Sequence, residues 1–296
     1  MGIFAACLSA VFSSAKDLLS KRLAYRIDAL TSTFASFAFA LPFYVLVLAV
    51  LYAADQEAFL ITPAFLVLVL LRSLTDVMAE GMKMYAFSYA DISVVACFFS
   101  LSPLLLLITS PLITGDPLSV VGVVATVLVV GGSLLLVFRP SDRTWAAQKK
   151  GIMLALAASL FFSLNSCFDR LAVQKGTPVF AGFAMTLLSG LFLLPPVLLR
   201  RRRREELAVY QNGLWLRGAL EVAFMSAKLW ALQDLQAPYV VSLQRVSLLL
   251  SIIGGRLFFR EENFARRLAA GLLILAGVLA IIWWEHPAMP SDPAEL

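Results

Sequence analysis

What this chain can fold into is limited first by a succession of apolar runs, each about 20 residues long, the length a helix needs to cross a bilayer. They cover 2–20, 28–52, 63–86, 90–113, 117–138, 151–172, 178–199, 212–234, 236–259 and 264–284. The breaks between them are short and polar, as in Ala53-Ala54-Asp55-Gln56-Glu57 and Lys175-Gly176-Thr177-Pro178. Inside lipid a backbone must satisfy its own N–H and C=O groups, which an isolated run achieves only as a helix. Hydrophobic residues make up 60% of the chain and charged residues 15%, with a mean hydropathy of +0.87. So much apolar surface has no place in a soluble fold. The sequence therefore predicts an all-α integral membrane protein of ten transmembrane helices. The N-terminus enters the first run without a basic leader or a small-residue cleavage site, so that run reads as a retained helix.

The ten runs form two sets of five. Tyr85-Ala86-Phe87 and Leu101-Ser102-Pro103-Leu104 recur 145 residues later as Trp230-Ala231-Leu232 and Val246-Ser247-Leu248-Leu249. Near the start, Lys21-Arg22-Leu23-Ala24 matches Asp169-Arg170-Leu171-Ala172 at an offset of 148. The organisation predicted is a first repeat over 1–140, a basic linker over 141–150, a second repeat over 151–286 and a disordered tail over 287–296. An odd number of spans per repeat inverts the second copy in the membrane, the plan of many transporters that bind substrate near the midplane between halves.

Lysine and arginine set the expected orientation. They cluster in loops 1–2 (Lys21, Arg22, Arg26), 5–6 (Arg139, Arg143, Lys149, Lys150), 7–8 (Arg200 to Arg204) and 9–10 (Arg260, Arg266, Arg267). Loops 2–3, 4–5 and 8–9 carry none, and loop 6–7 has only Lys175. By the positive-inside rule the basic loops are cytoplasmic and both termini lie outside. The cytoplasmic (inner) membrane of a bacterium is the expected location.

The informative residues are charges inside apolar runs. The third run carries Arg72, Asp76, Glu80 and Lys83, which at about 100° per residue fall within roughly 80° of helix arc. The eighth repeats the stripe 145 residues on, with Arg217, Glu221 and Lys228. Each such group costs about 2.5–3.5 kcal/mol at a helix centre, whereas a leucine offsets only about 0.3–0.6 kcal/mol. Such stripes must face protein or water. Internal ion pairs such as Arg72–Asp76 and Arg217–Glu221, at i,i+4 spacing, are the structural reading. A hydrated substrate cavity is the functional one, favoured for the stripe as a whole.

In the ninth run, Gln244 and Arg245 lie between Ser242 and Ser247, and no acid stands three or four residues from Arg245. Arg245 is the leading candidate for binding an anionic group. Lys16 and Asp17 in the first run, and Asn165, Asp169 and Arg170 in its repeat partner, lie near a helix end and read equally as snorkelling groups or as additions to the cavity, with Lys16 and Asn165 the candidate cavity residues. Asp91 reads as a helix cap. Asp76, Glu80 and Glu221 are candidate proton carriers, because a carboxylate held away from water can titrate near neutral pH. The uncharged fifth and tenth runs, with Gly122, Gly131, Gly132, Gly271 and Gly277, read as lipid-facing or as a homodimer surface.

Other chemistries lose ground here. The only histidine, His286, lies beyond the last run, and neither H-E-x-x-H nor G-x-x-x-x-G-K-[ST] occurs. Cys7, Cys97 and Cys167 stand singly in apolar runs and suggest neither a metal cluster nor a disulfide. No catalytic residue, metal or cofactor is expected, and the net charge of +5 resides in loops rather than in a nucleic-acid-binding surface.

Ala90-Asp91-Ile92-Ser93 through Leu101-Ser102-Pro103-Leu104, Gly115-Asp116-Pro117-Leu118, Ser242-Leu243-Gln244-Arg245-Val246-Ser247, Phe258-Phe259-Arg260-Glu261 and Gly271-Leu272-Leu273-Ile274-Leu275-Ala276-Gly277 resemble the EamA family of the drug/metabolite transporter superfamily. The resemblance runs over nearly the whole chain, though the family's usual Gly-Glu turn is altered to Gly115-Asp116 and Arg260-Glu261. It implies ten helices in two inverted repeats, a central cavity, peripheral fifth and tenth helices, and cytoplasmic termini, opposite to the loop charges. It also implies transport of a small molecule without naming it. The site's mixed charges favour a zwitterionic or anionic metabolite, with a lipid flippase or export subunit as the alternative and intramembrane catalysis a distant third.

Overall fold

The computed structural model describes residues 1–24, 27–54, 61–90, 98, 101–137, 145–247 and 264–284, and every regular element among them is an α-helix. The first repeat holds α1 (Gly2–Ala24), α2 (Ala29–Ala38), α3 (Leu41–Ala53), α4 (Pro63–Tyr89), α5 (Ser102–Ile113) and α6 (Val120–Val137). The second holds α7 (Trp145–Val173), α8 (Pro178–Leu198), α9 (Arg201–Val209), α10 (Gln211–Asp234), α11 (Ala237–Leu243) and α12 (Phe264–Trp284). Asp91, Cys97, Arg139, Arg143, the turn from Arg260 to Glu262 and the proline-bearing tail lie outside the described residues.

Helix starts follow local chemistry. Pro63, Pro103, Pro178 and Pro238 each occupy a first turn, where the missing N–H has no intrahelical partner to lose. Ahead of α4, Thr62 caps the helix by accepting from the Phe65 N–H at 3.2 Å. The second apolar run, expected as one helix, is broken between α2 and α3 at Phe39–Ala40, immediately before Pro42. Gly218 of α10 packs on that break, and a Cβ there would lie 2.4 Å from the Phe39 carbonyl. Two other boundaries also moved. The Arg200–Arg204 stretch, read as a loop, begins α9, and α7 starts at Trp145, inside the expected linker.

Length and apolarity suffice for a membrane crossing in Leu30–Ala53, Lys149–Val173 and Pro178–Leu198 among the described residues. Helices α4 and α10, with 27 and 24 residues, are long enough but carry the charged stripes. Shorter apolar helices cover Gly2–Lys16, Ser102–Ile113, Val120–Leu135 and Gly271–Ile281.

The packing follows the repeat. The three most extensive helix contacts are α4 with α7, α1 with α10, and α6 with α12. The first span of each repeat thus lies against the third span of the other, and the fifth spans pair with one another. The charged stripes on α4 and α10 are thereby turned inward onto the partner repeat. Outward, α6 and α12 expose Val124, Val127, Leu272, Leu275 and Leu279, a surface suited to lipid.

Of the glycines expected to allow close packing, Gly122 would bring a Cβ to 2.3 Å from the Tyr239 ring, and at Gly277 a Cβ would meet the Ala125 carbonyl oxygen and a Val129 methyl, both at 2.6 Å. At Gly131 a Cβ would meet nothing within 4 Å. Gly277→Val should therefore destabilise the protein by about 1–3 kcal/mol through overpacking, seen as a lowered Tm in detergent. Gly131→Ala should leave Tm unchanged or slightly raised, and equal losses would remove this account of the α6–α12 contact.

Candidate functional site

The inward faces of α4, α7 and α10 meet at one carboxylate. Asp169 of α7 is fully buried, and its two oxygens accept from different helices. Arg72 Nε of α4 donates to Oδ1 at 3.0 Å, and Lys228 Nζ of α10 donates to Oδ2 at 2.7 Å. Arg72 Nη1 also donates to Asp76 Oδ2 at 2.7 Å, one turn along α4. The other Asp76 oxygen accepts from Asn165 Nδ2 at 2.8 Å, one turn before Asp169 on α7. Two cations and two carboxylates thus form a balanced network across the repeats. Taking these charges out of water costs several kcal/mol each, and only complete pairing of this kind offsets it. Around it, Ser73 donates to the Met185 carbonyl of α8 at 3.1 Å, and Tyr44 is wholly buried against Gly182 and edge-on to Phe183.

Glu221 of α10 lies 3.2 Å from Lys16 of α1, whose ammonium also sits 4.0 Å over the Phe224 ring. The Lys16–Glu221 pair lies in the α1–α10 interface at the level where Asn165 meets Asp76 between α4 and α7, since Glu221 is the repeat counterpart of Asp76. Arg217, one turn before Glu221, donates to the Ser32 carbonyl at 2.8 Å and to its hydroxyl, anchoring α10 to α2. Internal i,i+4 pairing is thus observed at Arg72–Asp76, while Glu221 meets a cation from the other repeat.

The sequence grouped nine residues as one binding set, and the structure brings them together only in part. Arg72, Asp76 and Lys228 converge on Asp169. Glu80 and Lys83 pair with each other further along α4, with Lys83 5.3 Å from the Phe162 ring centre. Beyond α11, Arg245 Nη2 donates to Ser102 Oγ at the start of α5 at 2.8 Å, and Gln244 Nε2 donates to Ser9 Oγ of α1 at 2.9 Å. Ser9 and Lys16 are separated by about 10 Å along α1, so Gln244 and the Lys16–Glu221 pair line different levels of the same helix.

Asp169 is the residue that sequence reading undervalued. It lies near a helix end, four residues before α7 stops at Val173, yet the carboxylate is entirely enclosed and does not snorkel. The spacing of Asn165 and Asp169, one turn apart on a single face, was the available signal. Arg170 is also more than a snorkelling cation. Its Nε and Nη2 donate to both oxygens of Asp116, at 3.0 and 3.4 Å, and its Nη1 to the carbonyls of Leu232 and Gln233. Among the described residues, no group of three or more His, Cys, Asp or Glu side chains is arranged to hold a metal ion.

The two repeats pack crosswise and enclose a charged seam. The chain belongs to the EamA-like transporter family, whose sequence model matches residues 1–138 and 149–283, one stretch in each repeat. The fold is also that of a solved crystal structure, similar at a TM-score of 0.72 over 94% of this chain and 97% of that one, with 16% identity. No curated protein matches the sequence.

Breaking the network on one side should be costly. Asp169→Ala leaves Arg72 and Lys228 facing an emptied acceptor and should destabilise the fold by about 3–5 kcal/mol, whereas Glu80→Gln, in the more exposed Glu80–Lys83 pair, should cost about 1 kcal/mol or less. Denaturant unfolding in detergent measures both; a harmless Asp169→Ala would contradict the role given to this carboxylate.

Proposed function

We propose that this transporter moves a small polar metabolite, zwitterionic or anionic, by alternating access at a site between its two repeats. The observation that carries this reading is the Arg72–Asp169–Lys228 network, in which buried charges of both signs bridge α4 of one repeat to α7 and α10 of the other. A purely structural join between apolar helices has no need of charge, since apolar packing is often at least as stable as a buried ion pair. Groups of both signs can instead exchange protein partners for the carboxylate, phosphate or ammonium of a substrate. Arg72, Asp76, Glu221 and Lys228 form the core of the proposed site, with Lys16 and Asn165 beside them. Gln244 and Arg245 supply donors at the α5–α11 end, while Glu80, Lys83 and Arg217 lie at its margins.

Coupling to protons through Asp76, Glu80 or Glu221 remains part of the proposal, with exchange or facilitated diffusion as the alternatives. No catalytic residue or cofactor is assigned. The basic loops support placing both termini outside a bacterial inner membrane. The exposed face of α6 and α12 is assigned to lipid, or to pairing of two copies.

A ligand that binds only the folded protein raises its Tm with occupancy. Thermal unfolding in detergent should therefore rise with one class among amino acids, phosphorylated sugars, nucleotide sugars and amines. Arg245→Ala should abolish that shift and the uptake of the same class while leaving a folded protein. Retained uptake removes the altered residue from the site; a shift with lipids alone replaces the metabolite reading with lipid movement.

A further inference from the structure

We propose that Arg170 and Asp116 form the gate that closes the pathway at the face carrying the N-terminus, and that the structure is the state shut at that face. The inference rests on the transport reading and adds to it the residues that control access.

The position of the pair is set by local structure. Helix α5 ends at Ile113, and Gly115 follows with φ +73°, a left-handed conformation that suits glycine and turns the chain sharply. Asp116 comes next, delivered to the last turn of α7, where Arg170 stands. Arg170 grips Asp116 with two nitrogens and the end of α10 with a third. The C-terminal carbonyls of a helix favour a cation, so Arg170 keeps a seat on α10 whether or not Asp116 is present. The Asp116 contact is therefore the separable half: among the described residues it is what joins Arg170 to the first repeat.

Neighbouring contacts define the face. The N-terminal ammonium lies 3.9 Å from Asp234, at the end of α10. Gln236 donates to the Pro117 carbonyl, and the Tyr239 hydroxyl accepts from the Ser119 N–H at 3.0 Å. Each of these ties links one repeat to the other at the end of the bundle where α7 and α10 finish. A solute leaving the midplane toward this face must part the end of α5 from α7.

Exposure separates the clasp from Asp169. Arg170 and Asp116 side chains are 11% and 16% exposed, much as Lys228 and Lys16 are at 10% and 17%, whereas Asp169 is fully enclosed. Water can therefore reach the outer pair and replace its hydrogen bonds as it opens, while opening the inner network would strand charge. The clasp is the ion pair suited to repeated breaking.

A native cysteine reports on it. Cys167 lies one turn before Arg170 on α7, fully buried, with its Sγ 3.6 Å from Thr109 of α5. Separation of α5 from α7 uncovers it. In full-length protein with Cys7→Ser and Cys97→Ser, a polyethylene-glycol maleimide should label Cys167 slowly. Asp116→Asn should raise the rate about tenfold or more, the factor given by ~1.4 kcal/mol of lost closure, and Asp116→Glu should restore the slow rate. A buried reporter remote from the clasp, Ala155→Cys with Cys167→Ser, should stay unlabelled in the same Asp116→Asn background. Slow labelling of Cys167 in Asp116→Asn overturns the gate, as does fast labelling in Asp116→Glu. Fast labelling at Ala155→Cys also overturns it, since the whole fold would then be loosened. If every solute fails to bind while Cys167 responds as stated, the clasp survives and the transport reading falls. Solute binding with an unresponsive Cys167 removes the clasp alone.

Discussion

Asp169 sits where three helices from two repeats would otherwise bring like charges together. Arg72 and Lys228 are the same stripe seen twice, once in each half of the chain, and the crosswise packing of the repeats directs both toward the interior. Two cations in a region of low dielectric repel each other unless a carboxylate lies between them. Asp169 meets both, one with each oxygen, and is itself wholly shielded from solvent. The α4–α7 contact and the approach of α10 to them thus meet at one side chain. Asp76 and Asn165 complete the arrangement by holding Arg72 in the orientation that reaches α7.

The same packing explains why the charges are tolerated in a bilayer. A stripe facing lipid would cost more than its helix's leucines could offset. In α4 and α10 it faces the first span of the other repeat, where Asp169, Asn165 and Lys16 supply partners. The uncharged α6 and α12 pair with each other instead, close enough that Gly277 admits no side chain. Charge is thus concentrated at the interface between repeats and removed from the interface with lipid. An interface built from ion pairs can exchange partners with a charged solute, which a purely apolar one cannot do.

Contacts across the repeats differ in how far water reaches them. Asp169 is wholly enclosed and paired through both of its oxygens. Toward the N-terminal face, Arg170 shares its donors between Asp116 and the last carbonyls of α10. A cation with two partners can release one without being stranded, and partial exposure allows water to take its place. Rigidity at the centre and exchangeable contacts at the end belong to one design, because a site that binds charge must stay intact while the route to it opens.

Much of this was legible in the residues themselves. The apolar runs, the 145-residue offset and the matched stripes of Arg72, Asp76 and Lys83 with Arg217, Glu221 and Lys228 were enough for an all-helical, twofold-repeated membrane protein. These features are local, or are correspondences along the chain: a run of apolar residues is constrained by lipid wherever the helix ends up. Which charge meets which was another matter. Spacing anticipated the Arg72–Asp76 pair because both residues ride on one helix. It did not anticipate Asp169 between Arg72 and Lys228, Lys16 against Glu221, or Arg170 on Asp116. Those partners are brought together from separate spans by packing, and a helix's sequence specifies its own faces but not the neighbour each face will meet.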